Sequence, residues 1–135
     1  NKIIFFLFLV VTDLSYGKYK PKELTIEFLF THTAEMQKTP RILERITRME
    51  VTFNTDTMKG KLKSYSPFSN SFELLDVNVR IVDSGIHFLE EKKNGNAILS
   101  FCIKDAEATY SSSSISYGVL LSYQLYGSGR YLEQR

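Results

Sequence analysis

The sequence predicts an all-β domain: an antiparallel meander of seven or eight strands forming a small barrel, with a β-sandwich as the alternative. Three observations predict it. Apolar residues recur at every second position over most of the chain, the period of a half-buried strand. Turn-forming clusters punctuate these segments at short intervals. The 135 residues include 8 Tyr and 10 Phe but no Trp, an aromatic content that suits strands. Consecutive segments are joined by tight hairpins, which favours a barrel; a sandwich needs more crossovers. Closure also removes exposed edges.

The first segment is different. Lys2 precedes an unbroken apolar run, Ile3–Val11, followed by Ser15 and Gly17. The run is short of the roughly 20 residues that a spanning helix needs. A basic start, a short apolar stretch and a small-residue exit are the parts of a secretory signal. Residues 1–17 are therefore expected to be a leader cleaved after Gly17. Residues 18–135 are then one domain, exported to the periplasm, cell envelope or exterior.

"ELTIEFLF" puts Leu24, Ile26, Phe28 and Phe30 on one face. "THTAEMQKTPR", Thr31–Arg41, is not periodic and reads as a connection, with a short helical turn over Arg41–Ile46. "MEVTF" turns Met49, Val51 and Phe53 inward. "MKGKLKSY" turns Met58 and Leu62 inward and Lys59, Lys61 and Lys63 outward, and Gly60 in mid-strand suggests a bulge or bend. "LLDVNVRIV" turns Leu75, Val77, Val79 and Ile81 inward, and "AILSFCIK" does the same with Ala97, Leu99, Phe101 and Ile103. "SSSS", Ser111–Ser114, reads as a loop. "YGVLLSYQLY" turns Val119, Leu121, Tyr123 and Leu125 inward, and a last short strand is expected after "GSG", over Arg130–Glu133.

The turns predict registers. A two-residue turn at Asn94-Gly95, a pair that readily adopts positive φ, sets Phe88 opposite Phe101 and His87 opposite Cys102. A turn at Ser84-Gly85 sets Ile81 opposite Phe88. The "NTDT" turn sets Phe53 opposite Met58, Met49 opposite Leu62 and Glu50 opposite Lys61.

Composition bounds the function. The chain is 43% hydrophobic and 24% charged, a folding mixture rather than a disordered one. Its 17 basic and 15 acidic residues leave a net charge of +2, so bulk charge does not call for nucleic acid. The outward positions carry Lys, Arg, Asp and Glu, so the barrel is not expected to be an integral membrane protein, which needs an apolar outer band. One cysteine allows no internal disulfide, and stability must come from the core.

Four groups of residues are candidate sites. His87 and Cys102 would face each other on the polar side, but neither an orienting third group nor an oxyanion hole accompanies them, and zinc needs three or four ligands. They read as cross-strand neighbours, and no catalytic residue, metal or cofactor is assigned. Arg48, Lys59, Lys61 and Lys63 form a basic row that could meet an anionic surface, or could simply guard a strand against edge pairing. Five tyrosines, Tyr110, Tyr117, Tyr123, Tyr126 and Tyr131, gather toward the C-terminus and could line a mouth for a sugar or aromatic ligand. Phe28, Phe30, Val51, Val79, Phe88, Phe101, Leu121 and Tyr123 would line an interior cavity.

The layout is similar to small lipocalin-like and other exported β-barrels, without any matching family motif. It implies a non-catalytic exported domain that binds a small apolar or amphipathic ligand. The competing expectation is an interaction module that uses an exposed strand edge or the basic row. The ligand's identity and the oligomeric state are not legible in the sequence.

Overall fold

The computed structural model describes residues 23–36, 41–66, 69 and 71–132. The expected leader, residues 1–17, lies outside them. Eight strands follow in order: β1 (Glu23–Glu35), β2 (Arg41–Asn54), β3 (Lys59–Tyr65), β4 (Phe72–Val82), β5 (Gly85–Lys92), β6 (Gly95–Cys102), β7 (Glu107–Ser116) and β8 (Val119–Leu132). Each pairs antiparallel with the next, and β8 closes on β1, from Thr25 opposite Leu132 to Glu35 opposite Tyr123. The meander is thus a closed barrel. The sandwich is excluded, and among the described strands no edge is left for a partner strand.

Alternation builds the core. Leu24, Ile26, Phe28 and Phe30 are buried on β1, with Val51 and Phe53 on β2. Phe88 of β5 and Phe101 of β6 meet them from across the barrel. The Phe28 ring lies 5.5 Å from that of Phe101 at 84° and 6.2 Å from that of Phe88 at 72°. Phe53 meets Phe88 at 5.1 Å and 68°. Edge-to-face contacts of this kind add about 0.5–1.5 kcal/mol each beyond the area they bury.

The faces follow the sequence reading, but the partners are displaced. Phe88 sits opposite Leu99, Ile81 opposite Ile86 and Phe53 opposite Gly60. Each hairpin is offset by two residues from expectation. His87 therefore faces Ser100 rather than Cys102, and Glu50 faces Lys63 rather than Lys61. A two-residue offset leaves every side chain on its face, so facial patterning cannot detect it. Asp83 and Met58 take the left-handed conformation, φ 50° and 56°, and complete their turns one residue away from the expected positions. The β5–β6 turn is Lys93–Asn94, so Gly95 is a strand residue. A Cβ on Gly95 would stand 2.0 Å from the Ser113 carbonyl oxygen. That glycine lets β6 approach β7; it does not supply a turn.

Four further expectations are corrected. Arg41–Ile46 is the start of β2, not a helical turn, and β1 runs on to Glu35. A bulge between Phe30 and His32 breaks the period there, leaving Thr31 and His32 both exposed and turning Thr33 inward. Ser111–Ser114 belongs to β7, where four identical residues cannot display the alternation they follow. "GSG" does not separate two strands: Gly127–Gly129 lies inside β8. Gly60 shows no register shift, but a Cβ there would meet Thr52 O at 2.6 Å, so it serves a close approach as Gly95 does.

Candidate ligand-binding cup

Above the phenylalanine layer the inward positions change chemistry. On β1 the bulge sends Thr33 and Glu35 inside. Thr47 of β2, Ser64 of β3, and Ser112 and Ser114 of β7 continue the wall. Met49 and Leu125 are buried at its base. These residues enclose a cup of about 660 Å³, open at the end of the barrel toward which β1, β3 and β7 run. Its charged lining is balanced: Glu35 and Glu73 against Arg45 and Lys92. Glu35 is itself paired with Arg41 at 2.9 Å.

A buried polar cluster lies in the upper barrel. Glu90 is only 3% exposed. The Tyr110 hydroxyl donates to Glu90 Oε2 at 3.1 Å, and Lys92 Nζ stands 3.7 Å from Oε1. Among the described residues Oε1 has no hydrogen-bond partner, and neither does Thr33 Oγ1, although Thr33 is 4% exposed and lines the cup. A buried hydroxyl left without a partner is costly, and such a group commonly marks a place where something else binds. The ring of Tyr110 lies 6.0 Å from that of Tyr123, which lines the cup.

Burial pushes the Tyr110 phenol far above its ordinary range, helped by the neighbouring Tyr123 and Glu90. The sign follows directly. The folded state holds this proton more tightly than the unfolded chain, so its stabilisation is complete below about pH 10 and declines above it. Urea unfolding between pH 9 and pH 11.5 is expected to show stability falling above pH 10, by up to about 1.4 kcal/mol per pH unit from this group. Tyr110→Phe removes that part of the slope. An unchanged slope in the variant would mean that Tyr110 ionises as freely in the fold as in water.

The lip of the cup is apolar. Tyr117 and Gly118 form the tip of the β7–β8 hairpin, both with positive φ, 51° and 74°. Tyr117 is fully exposed there, and Ile115, Val119 and Leu120 are each more than half exposed beside it. Ile42 and Ile46 of β2 and Leu74 of β4 extend the exposed apolar surface around the same end.

The site residues expected from the sequence divide between two layers. Phe28, Phe30, Val51, Val79, Phe88 and Phe101 form the packed layer below and do not line the cup. Leu121 and Tyr123 do line it. The tyrosines do not gather: Tyr110 is buried, Tyr123 is in the cup, Tyr117 is at the tip, Tyr126 is exposed on the outer wall, and Tyr131 packs against the core. In the basic row, Lys61 binds Asp76 and Lys63 sits 5.0 Å over the Phe72 ring. Arg48 lies 3.3 Å from Glu27, 3.8 Å from Glu50 and 4.4 Å over the Tyr65 ring. Lys59 is exposed at the start of β3. On the outer wall His87 Nδ1 is 2.8 Å from Ser100 Oγ, and both line a shallow groove with Cys102 and Glu107. Thr33, Arg45, Thr47, Glu73, Glu90 and Lys92 were not foreseen. Two of them carried a signal: Ile86, Phe88, Glu90 and Lys92 share one period-two face, which places the last two inside.

No family model and no curated protein matches the sequence. Among solved structures, the chain is similar to a variant of the vaccine antigen transferrin binding protein B from Haemophilus parasuis. The TM-score is 0.49 and the identity 11%, over 86% of this chain and 27% of that one.

Proposed function

We propose that this protein is an exported, non-catalytic barrel that binds a small amphipathic ligand in the cup at its open end. The observation that carries the reading is the cup itself: about 660 Å³, lined by both hydroxyl-bearing and apolar side chains and bordered by exposed apolar ones. The volume falls in the range of roughly 300–1,000 Å³ usual for small-molecule sites. The ligand position moves up from the phenylalanine layer, which is filled by its own rings, to the layer that holds Leu121 and Tyr123. Export rests on the apolar run Ile3–Val11 with Ser15 and Gly17 behind it. The competing reading, an interaction module, loses its strand edge to barrel closure, and most of its basic row is already engaged by carboxylates and rings.

Native mass spectrometry of the full chain, expressed with residues 1–17 and recovered from the exported fraction, tests both parts. The expected product begins at Lys18 and carries a non-covalent adduct lost on denaturation, or takes up anilinonaphthalene sulfonate saturably at one site. A product retaining residues 1–17 overturns export. A product with no adduct and no saturable dye site overturns ligand binding.

A further inference from the structure

We infer that the cup takes the head of its ligand rather than the tail, and that this head is an uncharged polyol such as a sugar; the inference rests on the ligand-binding reading above and deepens it. Hydroxyl-bearing side chains are the most numerous kind on the wall, among them Thr33, Thr47, Ser64, Ser112, Ser114 and Ser122. A hydroxyl both donates and accepts. A wall of hydroxyls therefore matches a head that also donates and accepts at several points, which a polyol does and a carboxylate or quaternary ammonium does not. The charged lining supplies two groups of each sign and no surplus to hold an ion.

Two further features fit. Thr33 Oγ1 is buried at the cup without a partner among the described residues, and a ligand hydroxyl would give it one. Tyr123 also lines the cup and offers a flat apolar face of the kind on which the C–H face of a sugar ring can rest; Tyr65 and Phe72 line it too, each with one face covered by Arg48 or Lys63. An alkyl tail inside the cup would leave the wall hydroxyls unmatched. At the mouth it meets Leu121 and Val119, both exposed and on the cup-facing side of β8. The orientation is head inward, tail along the lip.

Calorimetric titration of the full chain with four probes below their micelle-forming concentrations tests this: decyl maltoside, decanoate, decyltrimethylammonium and free maltose. Decyl maltoside is expected to bind about tenfold or more tighter than either charged amphiphile, and tighter than maltose. If decanoate or decyltrimethylammonium binds as tightly as the maltoside, the polyol head is wrong while ligand binding stands. If no amphiphile binds, both fail together. Thr33→Val keeps the shape of the side chain and removes the unpartnered hydroxyl. It is expected to weaken the maltoside about tenfold without lowering the melting temperature. Unchanged maltoside affinity in a folded Thr33→Val protein overturns the role of that hydroxyl in head recognition. If the variant does not fold, the selectivity of the wild-type protein decides the matter.

Discussion

Phe28→Ala is expected to lower the unfolding free energy by about 3–5 kcal/mol, the range for deleting a buried phenylalanine from a core that cannot collapse into the space. The site is a demanding one. Phe28 is fully buried, and its ring is in contact range of three others, those of Phe30, Phe88 and Phe101. A fourth side is occupied by β8 backbone: a Cβ on Gly129 would be 2.7 Å from the Phe28 ring. One ring thus joins β1 to β5, β6 and β8, and the frame of paired strands holds the vacated volume open. A domain of this size has about 5–15 kcal/mol in total, so the loss takes a large share of its stability. Urea titration measures it, with Leu29→Ala as the control. Leu29 is the next residue on the strand but faces outward and is 43% exposed. Its truncation is expected to cost well under half as much. A midpoint for Phe28→Ala close to wild type would mean that the lower barrel is loosely filled. The same variant separates the two layers. Because Phe28 lies beneath the cup, decyl maltoside affinity should change little under conditions where the variant is still folded.

The division of labour between layers explains what the sequence could and could not reveal. The lower barrel was legible because apolar and polar residues alternate there: Leu24, Ile26, Phe28 and Phe30 have only one arrangement that buries all four. Register was not legible. Facing positions are specified only to within steps of two when each hairpin is built from the same alternating pattern. The turn residues that decide among those steps include Met58, Tyr117 and Ala106, which take positive φ although none is a residue that prefers it. The upper barrel was illegible for another reason. A strand that lines a polar cup has polar residues on both faces, so Ser111–Ser114 and the start of β2 carry no binary signal at all. Apolar patterning points to the phenylalanine layer, whereas the cup proposed to bind ligand begins where that pattern stops.

Gly127→Ala is expected to be nearly as damaging as the loss of Phe28, by a different mechanism. Gly127 sits opposite Phe30, immediately beside the β1 bulge. A Cβ there would stand 2.0 Å from the Leu29 carbonyl oxygen and 2.6 Å from the Phe30 Cα. Both are backbone atoms and cannot rotate away, so β8 must separate from β1. That pair is the seam that closes the barrel, and the bulge that aims Thr33 into the cup lies within it. Overpacking usually costs about 1–3 kcal/mol, and relief by parting two paired strands belongs at or beyond the upper end. Gly118→Ala supplies the comparison. Its Cβ would meet nothing within 4 Å, but φ is +74°. It should therefore cost only the roughly 1 kcal/mol of a side chain held in the left-handed region. Thermal unfolding ranks the two, and amide exchange locates the damage. Gly127→Ala should accelerate exchange along β1 and β8 and weaken maltoside binding through the displaced Thr33. Gly118→Ala, at the far tip of the β7–β8 hairpin, should leave the seam protected. Equal protection of the seam in both variants would show that β8 tolerates a side chain there, and that the bulge, rather than the glycine, sets the spacing between the two strands.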